Sequence, residues 1–311
     1  MVEWNGYYSI VVLSRSKLYS ILFLLSGFAF SQSHLNSFLT PSDSLNTSKR
    51  NTLVVSEASL ATLSLVGLNQ LWYANYPHSP LHTVNDNQEW LQMDKLGHMY
   101  SSYHMGSMGA NALKWSGASR KSQLLYGATL GLAFMTTVEV FDGYSSQWGF
   151  SWGDMAANTT GTAFFVSQEL LWKEQRIVPK FSFHTTSYAS QRPEVLGTSI
   201  SQQILKDYNG QTYWWSINVH SFFKQSKVPT WLNLALGYGA DGMLSGNANS
   251  YPSETPRSRQ FYLSLDADLT KIKTKSHFLK TIFYLFNTIK IPAPSVEYKG
   301  GTGFKFHSIY F

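Results

Sequence analysis

Hydrophobic positions follow two different periods along this chain. From Leu53 to about Trp172 they recur at helical spacing. Four helices are predicted there: Leu53–Tyr73, with Glu57 its only charge, then Asp94–Trp115, Gln123–Val140 and Asp154–Trp172. Asn75–Glu89 holds Pro77, Pro80 and Asn/Asp turn formers and reads as a loop. After Pro179 the period becomes two. Tyr213, Trp215, Ile217 and Val219 alternate with Trp214, Ser216, Asn218 and His220, and Leu232, Leu234, Leu236 and Tyr238 alternate with Asn233, Ala235 and Gly237. Phe261, Leu263 and Leu265 repeat the pattern, and Phe304–Phe311 closes it. Two further strands are expected near Phe181–Ser187 and Gly197–Ile204. His277–Ile289 reads as an amphipathic helix, with Phe278, Ile282 and Phe286 on one side.

The expected fold is therefore α+β and membrane-associated. A helical bundle over 51–178 precedes an antiparallel β region over 179–311 that includes the one amphipathic helix. Small residues recur four apart at Gly106/Ala110, Gly127/Gly131 and Ala157/Gly161. Such spacing lets helix backbones approach closely, in a membrane or in a tight bundle. The alternating strands suit either a soluble sheet with one wet face or part of a barrel, apolar outside and polar inside. Their number falls short of the eight a complete barrel needs.

Composition narrows the class. Only 14% of the 311 residues are charged and 15% are aromatic, which disfavours disorder and leans towards membrane contact. The absence of cysteine removes a disulfide framework, a thiolate metal site, a Cys nucleophile and a lipidated Cys. Arg15 and Lys17 precede an apolar run from Leu18 to Phe30, too short for a spanning helix. Residues 1–31 thus read as an export signal, and 32–50, rich in Ser, Asn and Thr, as a linker. The net charge is +6, with Lys271, Lys273, Lys275 and Lys280 clustered beside the amphipathic helix. Basic groups next to an apolar face suit an anionic membrane surface, so membrane lipid or lipopolysaccharide is the expected partner. A solvated surface run is the plainer alternative. No nucleic-acid motif is present.

The informative polar residues stand near the ends of apolar helices. Asp94 and His98, four apart, share a face at the start of the second helix, with Lys95 turned away. Glu139 and Asp142 close the third, and Asp154 and Asn158 open the fourth. A short loop makes helices two and three antiparallel, so these ends should converge. Carboxylates with one imidazole can hold a divalent cation and activate water, with Asp94, His98 and Asp154 as ligands. Glu139 and Asp142 could act as acid or base, and Lys95 could hold an anion. The structural alternative is equally concrete. Asp94 suits a first helical turn, Ser151 and Asp154 resemble a capping box, and Lys95 could lock the bundle by pairing with Glu139 or Asp154.

The order Asp94-Lys95-x-x-His98, Glu139-x-x-Asp142-Gly143, Phe150-Ser151-x-x-Asp154-x-x-x-Asn158-x-x-Gly161 resembles the YfiM-like family of periplasmic proteins of unknown function. It is distantly similar to VanZ-like membrane proteins. The likeness covers about residues 90–165 and implies an envelope location and helical character, with no reaction attached. Three roles follow as alternatives: an envelope protein with a structural or interaction role, a metal-assisted or acid/base hydrolase of an envelope lipid or glycan, and a lipid-binding or barrel-like outer-membrane module.

Overall fold

A computed structural model describes residues 34–74, 76–251 and 255–311. The export signal expected over 1–31 lies outside the described residues. Helix α1, Thr47–Tyr73, ends in a π-helical turn at Asn69–Tyr73. It starts earlier than its apolar pattern because the Asn46 side chain caps it, accepting from the Lys49 N–H at 2.9 Å. None of residues 47–68 is buried, and α1 is long and apolar enough to cross a membrane by length and composition. Within the stretch expected to be a linker, residues 34–38 are helical, and the Trp115 indole N–H donates to the Phe38 carbonyl at 2.7 Å.

Three helices form the bundle: α2 (Met93–Trp115), α3 (Arg120–Gly143) and α4 (Trp152–Trp172). Helix α2 lies between the other two in backbone contact. A Cβ placed on Gly131 of α3 would stand 2.2 Å from the Ser102 carbonyl oxygen. One placed on Gly161 of α4 would stand 2.2 Å from that of Met99. The Ser102 hydroxyl uses this closeness and donates to the Asn158 carbonyl at 2.7 Å. A short parallel pair, β1 (Thr83–Val84) and β2 (Phe150–Ser151), ties the loop before α2 to the start of α4.

The second half is one antiparallel sheet in sequence order. Its strands are β3 (Ile177–Phe183), β4 (Gln211–Asn218), β5 (Leu232–Asp241), β6 (Ser258–Ala267), β7 (Ala293–Lys299) and β8 (Gly303–Tyr310). Two strand expectations need correction. Gly197–Ile204 is not a strand: Ser199 caps a helix there, α5 (Ile200–Lys206), by accepting from the Gln202 N–H. The pattern also missed β7, where Pro294 demotes the segment. The ladder tolerates that proline because its register shifts between Ala293 and Ser295. The amphipathic helix is present as α6, His277–Phe286.

The two faces of this sheet are inverted relative to a sheet in water. Lys180, Ser216, Asn233, Asp266 and Glu297 are buried, whereas Leu236, Leu263, Phe304 and Phe306 are exposed. The inner polar groups satisfy one another, as burial requires. Lys180 Nζ lies 2.8 Å from Asp266 Oδ2, and both side chains are fully buried. Ser216 donates to the same carboxylate at 2.5 Å, and the Ile291 N–H donates to its other oxygen at 2.9 Å. Lys290 donates to the Leu265 and Ile291 carbonyls. The chain at 288–290 pairs with Phe181 and covers the free edge of β3.

The bundle docks on the outer face of β3 and β4. Tyr100 of α2 packs against Phe181 and Tyr213, with ring centroids 5.9 and 5.8 Å apart. His104 is buried and donates from Nε2 to the Pro179 carbonyl at 2.7 Å. Burial pushes its pKa down to about 4, so the imidazole is neutral.

Candidate functional site

The polar ends of α2, α3 and α4 meet where the bundle faces the sheet. A left-handed turn leads into α2: Trp90, Leu91 and Gln92 all have positive φ. Non-glycine residues resist that conformation. It is held from outside, since the Trp90 N–H donates to the Gly246 carbonyl at 3.0 Å and the Tyr238 hydroxyl to the Leu91 carbonyl at 2.6 Å. The turn sets the start of α2, and with it Asp94, Lys95 and His98.

Lys95 is the hub. Its ammonium lies 2.7 Å from Asp86 Oδ2, 3.2 Å from Asp94 Oδ2 and 2.8 Å from Asp154 Oδ1. These contacts join the loop before α2, α2 itself and α4. They raise the Lys95 pKa, outweighing the opposing effect of burial. Lys95 has no contact with Glu139, one of the two partners expected for it. Glu139 instead accepts the Ser151 backbone N–H at 3.1 Å. This contact explains the incomplete capping box at the start of α4. Ser151 Oγ accepts the Asp154 N–H at 3.1 Å, but the reciprocal role falls to Glu139, which leaves the Asp154 carboxylate for Lys95.

His98 has two differently occupied nitrogens. Nδ1 donates to Asn158 Oδ1 at 3.2 Å and lies 3.4 Å from Glu139 Oε1. Nε2 faces Asp94 Oδ1 at 3.7 Å and Asp154 Oδ1 at 3.8 Å, beyond hydrogen-bond length. These three ligand atoms lie within 4.8 Å of one another. The Tyr208 hydroxyl donates to Asp94 Oδ1 at 2.7 Å and orients that carboxylate from the sheet side. Asn158 Nδ2 is buried without a partner among the described residues.

Four carboxyls, those of Asp86, Asp94, Glu139 and Asp154, thus face two bases, Lys95 and His98. Burial and the neighbouring Asp94 push the Asp154 carboxyl up to about 8. Burial acts against ionised Asp94 too, but His98, Lys95 and the Tyr208 hydroxyl together hold its pKa below the usual carboxylate value. His98 is opposed by burial as well, and Asp94, Asp154 and Glu139 carry its pKa above the ordinary imidazole value.

The cluster is not sealed. Asp94, His98 and Asp154 line a cavity of about 800 Å³ whose other walls include Trp72, Trp90 and Trp148. Asp142 reaches the same cavity but stands apart from the cluster, accepting from the Tyr73 hydroxyl at 2.8 Å. The basic group at 271–280 is elsewhere: Lys271 pairs with Glu174 at 3.2 Å, while Lys273, Lys275 and Lys280 are exposed. Sequence reasoning missed Asp86 and Tyr208. Asp86 sits in an Asn-Asp-Asn turn and Tyr208 in an Asp-Tyr-Asn-Gly turn, so both read as turn punctuation.

Residues 84–169 match the model of a family described as Predicted periplasmic lipoprotein (DUF2279), over rather more than a quarter of the chain. The matched span contains Asp86, Asp94, Lys95, His98, Glu139, Asp154 and Asn158, but neither Tyr208 nor the sheet. No curated protein and no solved structure matches the chain. The match supports an exported protein of the cell envelope. The sequence has no cysteine, so the lipoprotein part of that description is not carried over to it.

Proposed function

We propose that this envelope protein binds a divalent cation through Asp94, His98 and Asp154 and uses it to hydrolyse an envelope lipid or glycan held in the cavity. The observation that carries the reading is the orientation of His98 at the cavity wall. Metal-bound histidines usually donate their second ring N–H to a carboxylate or carbonyl, and His98 does so through Nδ1 while Nε2 faces two carboxylate oxygens. Bonds of about 2.1 Å place neighbouring ligand atoms roughly 3.0–3.4 Å apart, so the His98 contacts of 3.7 and 3.8 Å would close by about half an ångström and the full set, which lies within 4.8 Å, by about an ångström. Burial is the larger cause of the raised Asp154 pKa and the neighbouring Asp94 adds to it; a cation would relieve that repulsion between carboxylates. A bound cation would polarise a substrate oxygen or acidify a water. Glu139, 3.4 Å from His98, is the acid/base group beside it, Asp142 lines the same cavity further off, and Lys95 fixes Asp154 and Asp94.

The test is metal content. Full-length protein purified in detergent and dialysed against Zn²⁺ or Mn²⁺ should retain about one equivalent per chain by mass spectrometry of the elements. His98→Ala and Asp154→Asn should lose it while keeping a native circular-dichroism spectrum. Wild-type protein that retains no cation, and whose melting temperature no cation moves, defeats the proposal.

A second reading, structural locking, is favoured by Lys95 alone. Its three carboxylate partners come from separate segments and join them. Under that reading the cluster contributes to stability and the cavity has no catalytic role.

A further inference from the structure

The outer face of the sheet carries side chains in cross-strand rows. Leu234 opposes Leu265. Trp215, Leu236, Leu263, Val296 and Phe306 form the next row. Tyr238, Phe261, Tyr298 and Phe304 form a third, wholly aromatic one. Over β3 and β4 this surface is the one on which α2 docks. Apart from Tyr238, which meets the turn before α2, it continues bare over β5–β8: Leu263 is 47% exposed, Phe306 69% and Phe304 80%. The buried polar face behind it makes the arrangement one-directional, since a one-sided sheet in water turns its apolar residues inward.

We infer that the outer face of β5–β8 seats in the acyl layer of one membrane leaflet. Aromatic side chains concentrate where hydrocarbon meets headgroups, and the third row lies along one margin of the band. Basic residues stand beyond both margins. Arg259 continues the outer face of β6 past the aromatic row, and the exposed Lys273 and Lys275 follow β6 past Leu265. Such groups reach outward to lipid phosphates from an apolar surface. From Leu234 to Tyr238 the band runs about 14 Å along a strand, and β5 to β8 cover about 14 Å across. That width is too small to span a hydrocarbon core of about 30 Å and suits shallow seating instead. The envelope address supported by the family match places a membrane within reach. The inference is independent of the cation site.

Because the natural sequence lacks cysteine, single-cysteine variants give clean probes. Leu236→Cys, Leu263→Cys and Phe306→Cys would each be labelled with a fluorescent maleimide. Asn249→Cys, in an exposed loop, is the comparison. The full chain is then mixed with vesicles of phosphatidylethanolamine and phosphatidylglycerol whose acyl chains are brominated. Bromine should quench the three sheet labels and spare the label at 249. Circular dichroism and an unchanged melting temperature verify that each variant is folded. Equal quenching at all four sites, or none at the three, overturns the inference. Unquenched sheet labels together with a cross-linked dimer assign the face to a second copy and overturn it as well.

Discussion

Replacing Lys95 by methionine tests the polar cluster most directly. The substitution keeps an unbranched side chain of similar length and removes only the ammonium. Asp86, Asp94 and Asp154 then lose contacts of 2.7, 3.2 and 2.8 Å at once. The Lys95 side chain is only 14% exposed and that of Asp154 5%, so water cannot fully replace the lost partner. Removing one member of a buried charged group costs about 3–5 kcal/mol, because the remaining charges stay buried without compensation. At a few degrees per kcal/mol, the melting temperature should fall by on the order of 10 °C. The assay is thermal unfolding of the full chain in detergent at neutral pH, followed by circular dichroism. Lys95→Arg, which keeps the charge, should lose much less. The cation proposal adds a second outcome. Millimolar Zn²⁺ or Mn²⁺ should recover part of the loss in Lys95→Met, since a cation can neutralise the stranded carboxylates. A fall of under about 1 kcal/mol would refute the reasoning, because it would mean that the three carboxylates do not depend on the lysine.

Three other outcomes follow from the packing and the buried groups. Gly161→Ala should destabilise by about 1–3 kcal/mol, since its new Cβ meets the Met99 carbonyl at 2.2 Å. Gly67→Ala on bare α1, with nothing within 4 Å, should cost nothing and strengthen the helix by up to about 1 kcal/mol. Denaturant titrations of the two variants against wild type read the contrast. His104 makes stability fall on acidification. Its pKa in the fold is pushed down to about 4 from 6.5, so its contribution is complete above pH 6.5 and is lost as pH falls through that window, by about 3 kcal/mol in all. His104→Gln keeps a donor for the Pro179 carbonyl without titrating, and it should flatten this limb of the stability curve; an unchanged curve argues against it. Lys180→Met should cost about 3–5 kcal/mol by stranding Asp266, and adding Asp266→Asn should recover part of that in a double-mutant cycle.

The sequence by itself determined the order and kind of most elements. Helix or strand is written in the spacing of apolar residues, which is a local property, so α2, α3, α4, β5, β6 and α6 were legible without any fold. Local signals also misled locally. Ser199 caps a helix where alternation suggested a strand, and Pro294 concealed β7 because the bulge that accommodates it depends on both neighbouring strands. The polar cluster was legible in part. Charges are few enough that Asp94, Lys95, His98, Glu139, Asp154 and Asn158 stood out against apolar helices.

Only the tertiary structure decided what those groups do to one another. Asp86 and Tyr208 come from turns, whose polar residues satisfy local backbone geometry as readily as a distant site, so no spacing could single them out. The partner of Ser151 turned out to be Glu139, twelve residues away, and this exchange is what frees Asp154 for Lys95. The same holds for the sheet. Alternation states that one face is apolar and the other polar, but which face is buried depends on which side the chain curls towards. Here Lys180, Lys290 and Asp266 meet on the inside. Distances between segments far apart in sequence set these choices, and they exist only once the chain has folded.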